Sequence, residues 1–199
     1  MNRSRLLLAG LLVAILTLGA CSKEQSPTSR TASAPEAGAK RSPTVEIVSA
    51  EGKGFTVGSM MSTSVAYVFF DSQCPHCAHL WEASIPLQKK ARFVWMPITL
   101  GNPTSAAQGA TLLSAADPAQ AMADHEKSLS AGQGGIAGGS NVTDEAKQAI
   151  KSNTALFANL GIEGVPFTVV RNARTGLSVT RGGSMETAAL AELIGIDAP

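Results

Sequence analysis

Two cysteines separated by two residues, in the tetrapeptide Cys-Pro-His-Cys at 74–77, constrain this chain more than any other feature. The tetrapeptide follows the apolar run 65–70 and precedes a stretch with helical spacing of apolar residues. A strand that leads into C-x-x-C, with a helix behind it, is typical of a redox-active dithiol. Because the only other cysteine, Cys21, ends a separate apolar segment, no second pair remains for a structural disulfide.

The composition is that of a globular domain with appendages. Of the 199 residues, 44% are apolar and 16% are charged, which is enough apolar material for a core. The net charge is +1, and no basic stripe with interleaved aromatic residues is present. The sequence therefore predicts no nucleic-acid partner.

The N-terminus has the shape of an export signal. Arg3 and Arg5 precede the apolar stretch 6–18, which is short for a membrane-spanning helix. The segment ends in Leu-Gly-Ala-Cys21, which resembles the bacterial lipobox, so residues 1–20 are interpreted as a lipoprotein signal peptide. The resemblance implies cleavage before Cys21 and a lipid on its sulfur, and Ser22 in place of Asp implies the outer membrane. The alternative is an ordinary signal peptide with a chance cysteine.

The segment behind this cysteine is predicted to be a tether. Residues 21–43 are rich in Ser, Thr, Pro and Ala, with almost no large apolar side chain, so they cannot bury enough surface to fold. The folded domain is predicted at 44–199, held on the periplasmic side of a bacterial membrane by the lipid anchor.

Four strands are predicted in the first half of this domain. Residues 45–48 alternate apolar and polar side chains, and 55–57 follow after a glycine turn. The continuous apolar run 65–70 predicts a central strand that is covered on both faces. Residues 93–100 predict another strand, in which Pro97 indicates an edge position or a bulge.

Helices are predicted between and after these strands. The helix behind the dithiol ends or kinks near Pro86, and the alanine-rich segment 104–128 predicts helix interrupted by an Asp-Pro pair. A glycine-rich mobile loop is expected at 129–141, and Thr143 and Ser184 are expected to cap the following helices. With the insertion at about 103–142 removed, the order of elements is that of the α/β thioredoxin-like fold.

The residue types in the tetrapeptide suit disulfide exchange. Exchange proceeds by thiolate attack through a mixed disulfide, and Cys74, at a helix N-terminus, is placed to have its thiolate stabilised. Cys77, one turn later, is placed to resolve the mixed disulfide. Pro75 shapes the first turn. His76, as a cation or hydrogen-bond donor, is expected to stabilise the thiolate and favour the reduced protein, which makes the protein an oxidant.

Two further positions are candidates with open alternatives. Asp71, three residues before the dithiol, is either a partly buried base for the Cys77 proton or a solvated carboxylate at a strand end. Val165-Pro166 precedes a predicted strand. A cis bond there would bring the Val165 backbone beside Cys74 to pair with an extended substrate, whereas a trans proline would only begin an edge strand.

Other chemistries fit less well. Haem attachment needs a histidine where Ala78 stands. Zinc or copper would have to recruit His79 and His125 to the two cysteines, without a second close pair of ligands. A copper-binding lipoprotein and a tethered interaction module remain as alternatives, and no cofactor is expected.

Several stretches together resemble the catalytic domain of the periplasmic DsbG/DsbC proteins. They are Val-Phe-Phe-Asp-Ser-Gln-Cys-Pro-His-Cys at 68–77, Leu-Trp at 80–81, Ser-Ala-Ala-Asp-Pro-Ala at 114–119, and Asn-Leu-Gly at 159–161 leading to Val-Pro at 165–166. The resemblance covers roughly residues 55–195. It implies a thiol:disulfide oxidoreductase with Cys74 as nucleophile, Cys77 as resolving thiol and Pro166 as a cis-proline.

Two departures from that family shape the expectation. Residues 22–43 cannot supply the dimerisation domain of DsbG and DsbC, so a monomer is expected. The Pro-His dipeptide, and Val165 before the proline, look like the DsbA oxidase. The sequence therefore favours an oxidase of exported protein thiols served by a DsbB-like membrane partner. The alternative is a reductase or isomerase kept reduced by a DsbD-like one.

Overall fold

A five-stranded mixed sheet forms the centre of the protein, in a computed structural model that describes residues 40–199. The predicted signal peptide, the predicted lipidation site at Cys21 and nearly all of the predicted linker lie outside the described residues. None of the described helices is long and apolar enough to cross a membrane.

The strands run in the spatial order β1-β3-β2-β4-β5. They are β1 (Phe55–Gly58), β2 (Val65–Asp71), β3 (Arg92–Ile98), β4 (Phe167–Arg171) and β5 (Ser178–Gly182). Only β2 and β3 are parallel, and the other neighbours are antiparallel. The apolar run that ends at the dithiol is thus the middle strand, which confirms the prediction of a strand covered on both faces.

The prediction that Pro97 marks an edge strand or a bulge is wrong, because β3 lies inside the sheet. β1 pairs with β3 only as far as Trp95, whereas β2 pairs with β3 as far as Ile98. Pro97 therefore lies beyond the end of β1, where its missing N–H removes no bond to that strand.

Helices cover both faces of the sheet. They are α1 (Val45–Glu51), α2 (Pro75–Ser84), α3 (Pro103–Ser114), α4 (Pro118–Ser130), α5 (Asp144–Asn159) and α6 (Thr187–Ile194). One face carries α2, α4 and α6 around a core that includes Phe70 and Trp95. The other face carries α1 and α5 around Phe69 and Met96.

Residues 45–48, predicted as a strand, are the start of α1, so that prediction is wrong. The Thr44 hydroxyl caps the helix by accepting from the Ile47 amide, and only Val48 is fully buried. Four alternating residues fit either a strand or a short helix with one buried position, so the alternation alone did not decide between them.

N-terminal caps explain where the two helices of the insertion begin. Asn102 and Asp117 each accept a backbone N–H in the first turn of α3 and α4, and a proline stands at the first helical position of both. The interruption predicted between these helices is confirmed, as is the cap of α5 by Thr143. The cap predicted at Ser184 is wrong, because α6 begins at Thr187, with Glu186 in the cap position.

Candidate active site

The dithiol lies where β2 ends and α2 begins. Cys74 occupies the N-cap position, its amide donates to the Asp71 carbonyl at 3.0 Å, and its own carbonyl accepts from the Cys77 amide at 3.0 Å. Pro75 fits the first helical position because no N–H is needed there. Cys74 is half-buried and Cys77 is fully buried, and both are free thiols.

The surroundings of Cys74 favour its thiolate. A hydrogen bond from the Cys77 thiol, together with the backbone N–H groups of Cys77 and His76, lowers the pKa of Cys74 to about 7. Burial and the charge of Asp71 act against this shift and are outweighed. A substantial fraction of Cys74 is therefore ionised at neutral pH.

The environment of Cys77 has the opposite effect. Burial raises the pKa of Cys77 far above its usual range, and its hydrogen bond to Cys74 and the Cys74 charge raise it further. The reduced site therefore holds one thiolate, exposed to a partner, and one thiol, held inside as its hydrogen-bond donor.

The His76 imidazole does not take part in lowering the pKa of Cys74. Pro75 and His76 are both exposed, and the His76 ring lies edge-on to that of His79 with 6.1 Å between centroids. The stabilisation predicted for the imidazole comes from the His76 backbone amide instead.

The segment just before β4, which contains Val165 and Pro166, lies next to Cys74. The Val165–Pro166 peptide bond is cis, as the family resemblance implies. The Val165 carbonyl oxygen lies 3.7 Å from Cys74 Sγ, although the two residues are 91 positions apart. Antiparallel pairing of β4 with β2 brings these segments together.

Asp71 is a buried, hydrogen-bonded carboxylate, so its interpretation as a solvated group is wrong. One oxygen accepts the Gln73 amide at 2.9 Å, and the other accepts the Leu100 amide at 3.1 Å and lies 3.1 Å from the Ser105 hydroxyl. These contacts fix the end of β2 against the end of β3.

The glycine-rich loop after α4 is fastened to the segment before Cys74. Gln73 donates to the Gln108 side-chain oxygen at 2.6 Å and to the Gly134 carbonyl at 2.9 Å. Gln108 in turn donates to the carbonyls of Gly134 at 2.8 Å and Ile136 at 2.7 Å. Sequence reasoning missed this pair of glutamines, because nothing in the spacing of Gln73 and Gln108 indicates contact.

His125 is a buried neutral histidine rather than a metal ligand. Its Nδ1 accepts the Ile136 amide at 3.1 Å, so its Nε2 carries the proton and donates to the Ser72 carbonyl at 2.7 Å. Burial lowers the pKa of His125. Within residues 40–199, no group of three or more His, Cys, Asp or Glu side chains could hold a metal ion.

Glu126 is the ionisable residue near the site that sequence reasoning missed. It lies on α4, is 3% exposed, and burial followed by the charges of Cys74 and Glu82 raises its pKa to about 8. In the sequence it resembles a solvated residue beside Lys127. The available signal was its position on the same helical face as the buried Met122.

A cleft of about 580 Å³ lies between α2 and the segment before α6, and neither cysteine lines it. His79 and Glu82 line one wall, and the segment 184–187 lines the other. The preceding residue, Gly183, donates its amide to the Pro166 carbonyl at 2.8 Å, so this wall begins at the cis-proline. A larger cleft of about 840 Å³, at the start of α5, contains neither cysteine.

The chain is similar in sequence to two thiol:disulfide interchange proteins. No protein-family model matches the chain. It is 27% identical over 133 residues to the thiol:disulfide interchange protein DsbG of Pseudomonas aeruginosa, covering 66% of this chain and 51% of the relative. DsbG of Escherichia coli is 28% identical over 104 residues, covering 51% of this chain and 41% of the relative. The chain thus matches about half the length of these relatives, or less.

Solved structures share the fold. The catalytic domain of Proteus mirabilis ScsC superposes with a TM-score of 0.58 at 18% identity, covering 76% of this chain and 97% of that one. A periplasmic thioredoxin-like protein from Salmonella enterica serovar Typhimurium gives 0.60 at 17% identity, covering 77% and 97%. The chain is thus similar in sequence to the two DsbG proteins and shares the fold of these solved structures. The predicted α/β thioredoxin-like fold is thereby confirmed.

Proposed function

We propose that this DsbG-like protein is a thiol:disulfide oxidoreductase that exchanges a Cys74–Cys77 disulfide with cysteines of exported proteins. The observation that carries the proposal is the division of the site into an ionised Cys74 and a protonated Cys77 at the strand–helix junction. Exchange needs that division, since the thiolate is the attacking species and a second thiol must be held ready behind it.

The exchange has two steps. In the reduced protein, the Cys74 thiolate attacks one sulfur of a substrate disulfide, which forms a mixed disulfide and releases the first substrate thiolate. Cys77 then gives up its proton and attacks Cys74 Sγ, which releases the second substrate thiolate. The substrate gains two electrons and the dithiol loses two. Oxidation of a substrate dithiol is the same sequence in reverse.

Val165 and Pro166 are proposed to bind the substrate chain. The Val165 carbonyl lies beside Cys74 Sγ, so an extended substrate segment pairing with this backbone would bring its cysteine to the nucleophile. The cleft between α2 and residues 184–187 would receive the side chains beyond that cysteine.

The dithiol is proposed to have a reduction potential below that of a strong oxidant such as DsbA. A pKa of about 7 for Cys74 corresponds to thioredoxin, at about 7, rather than to DsbA, at about 3.5. Because a more stable thiolate makes a stronger oxidant, the site favours reduction or isomerisation with a DsbD-like membrane partner. The Pro75-His76 dipeptide is the observation that favours the oxidase and a DsbB-like partner instead.

Equilibration with glutathione tests the direction of transfer. We expect a reduction potential between about −180 and −270 mV, in the range from protein disulfide isomerase to thioredoxin. A potential near that of DsbA, about −120 mV, would establish the oxidase instead. Insulin reduction tests the activity itself, and equal rates for the wild type and Cys74→Ala would contradict the proposal.

The location is also part of the proposal. The N-terminal segment would place the domain on the periplasmic side of a bacterial membrane, attached to the outer membrane by lipid on Cys21. The lipobox-like segment supports this attachment, and the description of the Salmonella relative as periplasmic supports the compartment.

A further inference from the structure

A buried carboxyl group lies beside the dithiol without a partner. Glu126 is 3% exposed, and within the described part of the chain neither of its oxygens has a hydrogen-bond partner. An ionised carboxylate in such a place is strongly disfavoured, whereas the protonated acid is tolerated. Burial without a partner therefore favours the protonated form of Glu126.

The elements packed against Glu126 bring no positive charge to it. α4 packs against α2, α3 and β1, and neither α3 nor β1 contains an ionisable side chain. α2 presents Cys77 and Glu82 together with the exposed His76 and His79, and Cys74 stands at its N-terminus.

The neighbours on α4 itself add no compensating charge. His125 is held neutral by its two hydrogen bonds, and Asp124 and Lys127 are exposed. Among the groups whose charge raises the pKa of Glu126, Cys74 is the one whose charge is removed when the disulfide forms.

The charge of Cys74 affects the pKa of Glu126, and the charge of Glu126 affects the pKa of Cys77. The negative charge of Cys74 raises the pKa of Glu126, and the charge of Glu126 raises the pKa of Cys77. Oxidation to the disulfide removes the Cys74 charge, and with it one of the reasons for Glu126 to keep its proton.

We propose that Glu126 couples the redox state of the dithiol to one additional proton, which it holds in the reduced protein and releases on oxidation. The proposal rests on the exchange chemistry proposed above. In the oxidation, Cys74–S⁻ and Cys77–SH form the S–S bond and lose two electrons and one proton, and Glu126 loses a second proton to solvent. The electrons reduce the substrate disulfide, whose two sulfurs leave as thiolates and take up protons. Glu126 acts through its charge and does not touch the substrate.

The pH dependence of the redox equilibrium tests this coupling. Purified protein is equilibrated with dithiothreitol buffers from pH 6 to 9, for the wild type, Glu126→Gln and the control Glu192→Gln, whose residue is exposed on α6. The wild type and the control are expected to take up more protons per two electrons than Glu126→Gln near pH 8. Since Glu126 is about half protonated near pH 8 in the reduced protein, the difference is up to about half a proton, or about threefold in the equilibrium constant per pH unit. Identical pH slopes for all three proteins would overturn the proposal.

Infrared difference spectra of the wild type give a second readout that does not depend on how the variant folds. Reduced minus oxidised spectra near pH 7.5 are expected to show a protonated carboxyl band that is stronger in the reduced state, since burial acts in both states and the Cys74 charge only in the reduced one. A carboxyl band that is unchanged by oxidation, or absent from both states, would overturn the coupling. Since neither measurement uses a protein substrate, failure of the proposed exchange activity is distinguishable from failure of the coupling.

Discussion

At the scale of single residues, the two thiols of the site have different pKa values because they occupy different positions in the fold. An isolated cysteine has a pKa of about 8.5. Cys74 stands at the start of α2 with amides and the Cys77 thiol directed at it, while Cys77 lies in the core and serves as the donor. The hydrogen bond between them stabilises one thiolate by keeping the other thiol protonated. The difference in pKa that exchange needs thus depends on both cysteines together.

The pH dependence of alkylation tests this asymmetry. Because only the thiolate reacts, the rate of iodoacetamide modification of Cys74 is expected to fall as pH decreases, with a midpoint of about 7. Cys77 is expected to stay unmodified in the folded protein across the same range. Mass spectrometry of digested samples measures both sites, and a Cys74 midpoint above 8 would contradict the account.

Substitution of Asp71 tests its structural role. In Asp71→Asn one acceptor oxygen becomes a donor, which leaves the partly buried N–H of Gln73 or Leu100 without its acceptor. We expect a loss of about 1–3 kcal/mol in the free energy of unfolding, measured by urea denaturation. The matched change Asp124→Asn, on the exposed face of α4, is expected to stay within about 0.5 kcal/mol. Equal effects of the two changes would be inconsistent with this role.

At the scale of elements, the helical insertion touches the active site from one side. The loop after α4 is held by Gln108 and His125, and through them by the residues just before Cys74. Beyond Ile136 the loop is held again, since the Gly139 amide donates to the Thr111 hydroxyl at 2.8 Å. The insertion thus contacts the residues just before Cys74 directly.

Hydrogen exchange tests this attachment. Gln108→Ala removes two hydrogen bonds to the loop, which together contribute about 1–3 kcal/mol. The Ile136 amide, which donates to His125, is expected to exchange at least about tenfold faster in this variant. Gln120→Ala, on the exposed face of α4, serves as the control and should leave that amide unchanged. Protection of Ile136 that is the same in both variants would show that Gln108 does not hold the loop.

The elements also show how far the sequence determines the local structure. The strand of residues 65–70, the proline-started helices and the Thr143 cap follow from strong local signals. α1 was mistaken for a strand because four residues of alternation carry little information, and β3 was misplaced because strand order depends on pairing across the chain.

At the scale of the whole molecule, the candidate site combines local and distant contributions. The cysteines and the proline at 166 were predictable, since their residue types carry the chemistry. Glu126 was not, because its burial depends on how α4 packs against α2. The Gln73–Gln108 contact escaped prediction for the same reason, since it joins the active-site segment to a different element.

Membrane attachment is a property of the whole chain and lies outside the described residues. We expect the full-length protein to fractionate with membranes and to carry a lipid mass on Cys21, whereas Cys21→Ser is soluble and otherwise folded. Chemical cross-linking of the soluble variant should give a monomer. Membrane association that survives the Cys21→Ser change would contradict the lipid anchor.

The most direct test of the central claim is the capture of a mixed disulfide at Cys74. Without Cys77 to resolve it, Cys77→Ala incubated with a disulfide-containing peptide is expected to accumulate a one-to-one adduct on Cys74, detected by mass spectrometry of the intact and digested protein. The matched variant Cys74→Ala should accumulate little adduct, because Cys77 is buried and protonated. Accumulation on Cys77 in the second variant at the rate of the first, or no adduct in either, would contradict the assignment of Cys74 as the nucleophile.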